Sequence, residues 1–219
     1  MNTSYNRIAG TSVERLAALS DGIFGVAMTL LLLELRIPAK ELIHNEGDLW
    51  RALGGLAPHL LVYLMSFITL GIFWVGQQTQ LSNLAHSNRN LTWLFLTFLF
   101  TVTLVPFTTR LLSEYIDFRA ALIPYWVNIL LLGVFLYMTW GYANRAGLIK
   151  DTVPQADRAA ICHRIIIAQL LYAVGALLCI FSTYWSIGFI VLVQLNYSIA
   201  PMQWLRKRIG SVENQSRDS

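Results

Sequence analysis

An acidic side chain, Asp21, lies inside an apolar stretch that covers residues 16–35. A helix of about 20 residues is long enough to cross the hydrocarbon core of a bilayer. A charged side chain within such a helix costs about 2.5 to 3.5 kcal/mol on insertion scales, so Asp21 is expected to face protein or water rather than lipid. The stretch, whose other charge is Glu34 near its end, therefore predicts a membrane helix in which Asp21 is a functional or structural acid.

Helical geometry places the residues of this stretch on different faces. At about 100° per residue, one face collects a basic residue, small residues and apolar residues within an arc of about 60°. Its members are Arg15, Gly22, Val26, Thr29 and Leu33, with Leu30 at its margin. Ser20 and Asp21 lie more than about 100° from the centre of that face. The polar pair is therefore expected to hold the helix against its neighbours.

Two interpretations of the face remain open on periodicity alone. Apolar residues at this spacing usually form a packed seam, in which case Asp21 is a structural acid with satisfied hydrogen bonds. Alternatively, several copies of the helix surround an axis, and Val26, Thr29, Leu30 and Leu33 form rings around a narrow path. Hydrophobic rings exclude water, and threonine oxygens replace part of the hydration shell of a cation.

Composition indicates that the whole chain is a membrane protein. Of its 219 residues, 56% are hydrophobic and 13% are charged, whereas about a quarter of the residues in soluble domains are charged. Six apolar segments predict an all-α, polytopic protein with six transmembrane helices. They cover residues 16–35, 57–78, 91–112, 122–143, 165–181 and 185–204. Pro106 is expected to kink or end the third segment, and the short connection between the fifth and sixth predicts a tight helical hairpin.

Basic residues predict the orientation of these segments. Most of the 16 lysines and arginines lie in the two termini and in the loops after the second and fourth segments. By the positive-inside rule both termini are cytoplasmic, and orientation in the lipid bilayer explains the net charge of +4 without a nucleic acid partner. Residues 1–208 are predicted to form one transmembrane domain, followed by a disordered cytoplasmic tail over residues 209–219.

Motifs for enzymatic chemistry and metal binding are absent from the sequence. There is no Gly-rich phosphate loop, no H-E-x-x-H and no G-x-S-x-G. The four histidines are scattered, and the two cysteines have no C-x-x-C spacing. The chain is predicted not to be an enzyme and to have no catalytic residue, metal site or cofactor. The filter sequence TVGYG of potassium channels is absent too, so an ion path would have to be built in another way.

Three stretches resemble a known family. Residues 15–22, RLAALSDG, followed by IFGVAMTLLLLELRIP, resemble the signature R-x-x-x-F-S-D-G on the first helix of bacterial relatives of the transmembrane protein 175 family, which are potassium-permeable channels. SFITLGIFWVGQQ at residues 66–78 and RNLTWLFLTFLFTVTLVPFTTRL at residues 89–111 extend the resemblance over roughly residues 10–115. Leu19 replaces the phenylalanine of the signature, Gln77 and Gln78 replace frequent histidines, and Thr97 replaces a frequent asparagine.

The resemblance implies a homotetramer whose central pore is lined by the first helix and conducts potassium. The implied pore residues are Gly22, Val26, Thr29, Leu30 and Leu33. A hydrogen-bonded network that supports the pore helix is implied for Arg15, Ser20, Asp21, Trp74, Gln77, Gln78 and Thr97. Val26 is smaller than the leucine or isoleucine usual in the family, which implies a looser inner constriction. Because glutamine does not titrate, Gln77 and Gln78 would not supply a pH response that depends on histidine.

The leading hypothesis is a homotetrameric channel for monovalent cations, moderately selective for potassium over sodium, in a prokaryotic plasma membrane. Two other classes of protein remain open. In an ion-coupled secondary transporter or proton antiporter, Asp21, Gln77 and Gln78 would bind the coupled ion. In a non-conducting accessory membrane protein, the face of the first helix would be a packing seam.

Overall fold

The structure, a computed structural model, describes residues 12–33, 35, 39–180 and 182–195. These residues form eight α-helices and no strand, with Leu84 and Ile149 paired in an isolated bridge. The helices are α1 (Val13–Leu33), α2 (Glu46–Gly55), α3 (Ala57–Ser82), α4 (Arg89–Thr103), α5 (Val105–Glu114), α6 (Leu122–Arg145), α7 (Gln155–Leu177) and α8 (Thr183–Leu195). Short 3₁₀ turns occupy Lys40–Leu42, Arg119–Ala121 and Leu178–Ile180.

Five stretches of the described chain are long and apolar enough to cross a membrane. They are α1, α3, α4 together with α5 (Arg89–Glu114), α6 with the turn before it (Arg119–Arg145), and α7. The prediction of an all-α, multi-pass membrane protein is thereby confirmed. Over its described residues α8 is shorter than a span. The rest of the predicted sixth segment and the predicted tail at residues 209–219 lie outside the described residues.

The third predicted span is divided at Leu104, two residues before Pro106. Proline has no amide hydrogen to donate, so a helix that contains it loses a backbone bond. Asn128 of α6 lies against the break. With its amide oriented to satisfy both ends, Nδ2 donates to the carbonyl of Thr101 at 3.0 Å and Oδ1 accepts from the amide of Val105 at 3.1 Å. A broken helix is tolerated within a membrane when its backbone groups are satisfied in this way.

The first helix packs against α3, α4 and α5. Phe24, Ala27 and Leu31 are buried and lie on the face of α1 that contacts these helices. The ring of Phe24 lies 6.1 Å from that of Phe98 of α4, centroid to centroid. In a bilayer such contacts stabilise through close packing, because lipid tails are as apolar as the side chains they replace.

The helix of the fifth predicted segment, α7, starts at Gln155, about ten residues before the apolar stretch that predicted it. Its first turns are polar, and they are held on α6 by the indole nitrogen of Trp140, which donates to the carbonyl of Arg158 at 3.0 Å. The predicted tight hairpin is present between α7 and α8. The hydroxyl of Ser186 donates to the carbonyl of Gly175 at 2.6 Å, and a Cβ at Gly175 would lie 2.7 Å from Ile190 Cγ1. Glycine therefore permits the close approach of the two helices.

Candidate functional site

The first helix leaves one face uncovered within the single chain. Val26 is 58% exposed, Leu30 is 42% exposed and Leu33 is 76% exposed, and Gly22 and Thr29 are exposed beside them. All five were predicted to share a face, and in the structure all five lie outside the core. A continuous apolar stripe of this kind is covered by lipid or by another protein surface, since both are apolar.

The hydroxyl of Thr29 lies within this stripe and is oriented by its own helix. Oγ1 donates to the carbonyl of Val26 at 2.8 Å and lies 3.0 Å from the carbonyl of Gly25. Because the hydroxyl hydrogen is used on the backbone, the lone pairs of the oxygen remain available as acceptors. A hydroxyl held in this way can offer an oxygen to a cation.

The carboxylate of Asp21 joins α1 to α3. Oδ1 accepts a hydrogen bond from the indole nitrogen of Trp74 at 2.8 Å and another from Nε2 of Gln78 at 2.5 Å. Hydrogen bonds to a charged group contribute about 1.5 to 3 kcal/mol each, more than those between neutral groups. The structure thus brings together three of the residues predicted to support α1.

A second link between the same helices is buried. The hydroxyl of Ser20 donates to Oε1 of Gln77, and the two side chains are 0% and 1% exposed. Nε2 of Gln77 has no hydrogen-bond partner among the described residues. Ser20 and Asp21 are neighbours on α1, and Gln77 and Gln78 are neighbours on α3, so the two links form a double clamp.

Two predicted members of the support network lie apart from this clamp. The side chain of Arg15 is exposed, and its backbone amide donates to the hydroxyl of Ser12 at 3.2 Å. The hydroxyl of Thr97 donates to the carbonyl of Trp93 in its own helix at 2.9 Å. Within the part of the chain that the structure describes, neither side chain contacts Asp21 or Gln77 through a hydrogen bond.

Buried polar residues on α3 form a stripe that extends beyond Gln77 and Gln78, the two glutamines that the resemblance implied. Gln80 is buried and donates from Nε2 to the carbonyl of Leu136 at 2.9 Å, while its Oε1 accepts from the hydroxyl of Thr139 at 2.9 Å. Further along α3, Ser66 accepts from Thr109 Oγ1 at 2.8 Å. The signal for this stripe was present in the sequence, because positions 66, 69, 77 and 80 recur on one face at the helical period.

A buried polar layer continues this stripe away from α1. Thr69 Oγ1 accepts from Nε2 of Gln194 on α8 at 2.6 Å, and the hydroxyl of Tyr125 lies 3.3 Å from Thr69 Oγ1. Oε1 of Gln194 has no partner among the described residues. These contacts hold α3, α6 and α8 together. Across the described residues, no three His, Cys, Asp or Glu side chains are grouped so that they could hold a metal ion.

We expect the buried link to be measurable as stability. Ser20→Ala will lower the free energy of unfolding by about 1 to 3 kcal/mol, because Oε1 of Gln77 is then left buried without a donor. Ser20→Ala combined with Gln77→Leu will cost less than the sum of the two single changes, since the unpaired amide is removed as well. Thermal melting of the purified protein in detergent measures all three variants.

Thr97→Val is the control for these variants, because among the described residues the Thr97 hydroxyl bonds a carbonyl of its own helix and no other element. Its effect is expected to stay within about 0.5 kcal/mol. A loss for Thr97→Val as large as that for Ser20→Ala would contradict the assignment of the link to Ser20 and Gln77, and additive effects of the two single changes would contradict their coupling.

Comparison with known proteins identifies relatives of this architecture. The family model described as Endosomal/lysosomal potassium channel TMEM175 matches residues 15–106. A protein of Streptomyces collinus named as a potassium channel is 30% identical over 192 residues, which cover 86% of this chain and 84% of that protein. A protein of Chamaesiphon minutus, also named as a potassium channel, is 29% identical over 189 residues, covering 84% of this chain and 93% of that protein.

A solved structure agrees with these sequence relationships. The crystal structure of a lysosomal potassium-selective channel TMEM175 homolog from Chamaesiphon minutus aligns with a TM-score of 0.74 at 26% identity. The alignment covers 86% of this chain and 97% of that one. The prediction that the chain is not an enzyme is confirmed, and the chain belongs to the TMEM175 family of membrane channels.

Proposed function

We propose that four copies of this chain form a potassium channel in a prokaryotic plasma membrane, with α1 of each copy lining a central path. The observation that carries the proposal is the uncovered face of α1, in a chain whose bacterial relatives are named as potassium channels. A helix that bears the family signature and exposes an apolar stripe is suited to face a shared axis.

The side chains on this face suggest how the path works. Rings of Leu30 and Leu33 would make a narrow apolar constriction that excludes water, and Val26 would make a wider one. A ring of four Thr29 hydroxyls between them would offer oxygens to a partly dehydrated cation. Moderate selectivity for potassium over sodium fits this arrangement, because four hydroxyls provide few ligands compared with a filter of carbonyl rings.

Assembly around an axis is supported by a groove that begins at the pore face. The groove has a volume of about 370 Å³ and is lined by Gly22, Val26 and Leu30 of that face together with Ala18, Leu19 and Thr103. Small residues allow helix backbones to approach closely within membranes. The α1 helix of a neighbouring copy would fit this groove. The bilayer and monovalent cations would then be the other partners of the chain, and no nucleic acid is needed.

The proposal includes the orientation of the chain in the membrane. The basic loops predict that both termini are cytoplasmic. This requires an even number of spans, in agreement with the six apolar segments of the sequence.

The clamp residues are better suited to support than to ion coupling. In a transporter, Asp21, Gln77 and Gln78 would present oxygens to a cation. Instead, Gln78 turns its amide nitrogen toward Asp21, and the oxygen of Gln77 accepts the Ser20 hydroxyl. The unpaired atom at Gln77 is a donor nitrogen, which repels a cation. These contacts favour the channel over the antiporter.

Mass measurement and ion flux together test the proposal. The purified full-length protein is expected to have four times the mass of one chain, and liposomes that contain it are expected to pass potassium faster than sodium. Flux should follow the electrochemical gradient of the permeant ion alone. Transport that requires an opposing proton gradient would overturn the proposal in favour of an antiporter. The absence of flux from assembled tetramers would favour an accessory protein.

A further inference from the structure

A groove runs along the outer side of the bundle between α3 and α7, with α6 as its floor. It encloses about 220 Å³, and its apolar lining includes Ile72, Leu136, Ile165 and Ala168. The lining residues on α7 extend from Ala160 to Tyr172, a length of about 18 Å along the helix. The groove is therefore long, narrow and mostly apolar.

The shape of the groove is fixed by how α7 is held on its floor. Gln169 donates from Nε2 to the carbonyl of Ile129 on α6 at 3.4 Å. Its amide lies over Gly133, where a Cβ would come within 1.9 Å of Gln169 Nε2. This contact attaches α7 to α6, while the space toward α3 stays open.

The charged residue of the groove lies toward one end. Arg164 and Thr79 lie in the half where α3 approaches its end at Ser82 and α7 has begun at Gln155, whereas the uncharged polar residues Gln169 and Tyr172 lie in the other half. A second cavity of about 410 Å³ shares Thr79, Ala160 and Ile161 with the groove and adds the polar side chains of Asn83, Thr152 and Asp157. The two cavities form one path from a polar mouth to an apolar interior.

Basic side chains lie close to this mouth, which Asp157 also lines. Arg164 is exposed at the groove. Lys150 donates from Nζ to the carbonyl of Ser82 at 2.7 Å, and Arg158 donates from Nη2 to the carbonyl of Lys150 at 3.2 Å. These two cations hold the loop that forms the mouth. Residues 145–164 carry Arg145, Lys150, Arg158 and Arg164 against Asp151 and Asp157, so the region attracts an anion.

We infer that the α3–α7 groove binds an anionic phospholipid of the membrane, with its phosphate at Arg164 and one acyl chain between the two helices. Basic pockets between transmembrane helices on the cytoplasmic side are suited to anionic headgroups. Arg164 can reach the headgroup level because a long basic side chain extends from an apolar region toward water. The inference goes beyond ion conduction and does not rest on the pore assignment.

A lipid fits the groove better than a water-soluble phosphate compound does. The interior is apolar and, in a membrane, opens sideways toward acyl chains. An acyl chain in the groove would contact both α3 and α7 and would fill the space between them. A bound lipid would therefore stabilise the outer helices of the bundle.

Native mass spectrometry of the full-length protein, titrated with phosphatidylglycerol, tests the inference. Arg164→Gln is expected to weaken binding about fivefold, because one basic residue near an anionic lipid contributes about 1 kcal/mol. Ala168→Phe is expected to weaken it by filling the groove while all charges remain. The matched controls are Arg51→Gln on α2 and Ala159→Phe on the opposite face of α7, and both should bind as the parent does.

Each outcome of this titration supports or overturns the lipid site. Weaker binding in both groove variants and unchanged binding in both controls supports it. Unchanged binding in Arg164→Gln overturns it, and so does equal binding of glycerol phosphate without acyl chains. A photo-reactive residue at Ala168 that crosslinks to a second chain rather than to lipid would also overturn it. If Ala168→Phe melts at a lower temperature without lipid, Ala168→Leu replaces it.

Discussion

Leu33→Ala is expected to raise potassium flux through the reconstituted protein about fivefold. Leu33 is the most exposed of the large hydrophobic residues on the uncovered face of α1, at 76%, and four copies around an axis would place four leucines in one ring. Shortening all four widens an apolar constriction and lowers the cost of wetting it. A fivefold rise corresponds to a barrier lowered by about 1 kcal/mol.

Thr29→Ala is expected to act on selectivity instead of flux. The hydroxyl oxygens are removed from the ring, so potassium loses ligands that replace its hydration shell, and the ratio of potassium to sodium flux should fall. The helix is expected to tolerate the change, because the hydroxyl bonds only carbonyls of its own helix. Potassium and sodium flux into liposomes, measured with the same preparation, separates the two variants.

Leu170→Ala provides the matched control for the pore variants. Leu170 is 61% exposed on α7, on the side of that helix away from the α3–α7 groove, so it loses the same atoms at a comparable exposure. Its potassium flux and selectivity should equal those of the parent. If Leu33→Ala and Thr29→Ala both conduct as Leu170→Ala does, α1 does not line the path.

The sequence was sufficient to predict most helices and the exposed face of α1, for a simple physical reason. Apolar length and helical period are local properties, and a membrane imposes both. The same period also separated Ser20 and Asp21 from Val26 and Leu33. Ser20 is buried and Asp21, although exposed, accepts hydrogen bonds from α3, whereas Val26 and Leu33 are exposed apolar side chains.

Contacts that depend on the partner helix were not predictable from one sequence. Asn128 satisfies the break near Pro106, yet nothing in the residues around Asn128 indicates which helix it meets. The early start of α7 was missed because Asp157 and Arg158 are polar, and hydropathy detects the lipid core rather than the helix that extends beyond it. The resemblance implied that Arg15 and Thr97 join the network, but within the described residues of a single chain neither side chain forms a hydrogen bond with Asp21 or Gln77.

We expect the double clamp to orient α1 and the exposed stripe to line the ion path. A charged acceptor with two donors fixes the angle of the helix about its own axis, and that angle decides which side chains face away from the bundle. Apolar side chains alone would fix this angle weakly, because a rotated helix would still contact apolar neighbours. Asp21 is therefore expected to affect the orientation of α1 and the assembly of the chains, whereas apolar side chains such as Leu33 are expected to control the passage of ions.

Asp21→Ala is expected to impair assembly more than permeation. The change removes the acceptor of two hydrogen bonds, from Trp74 at 2.8 Å and Gln78 at 2.5 Å, at about 1.5 to 3 kcal/mol each. It also leaves both donors without a partner in an apolar region. The melting temperature and the tetrameric fraction should fall, whereas the tetramers that remain should keep the parent ratio of potassium to sodium flux.

Glu14→Ala is the control, since it removes another exposed carboxylate from α1, one that forms no ion pair with the described residues. Its mass, melting temperature and flux should match those of the parent. Asp21→Asn, which retains an acceptor oxygen but loses the charge, should fall between the parent and Asp21→Ala. Size-exclusion chromatography with mass detection measures assembly before each flux assay. Asp21→Ala tetramers that form in normal amounts and conduct no potassium would contradict the supporting role, because the carboxylate would then act on the ion itself.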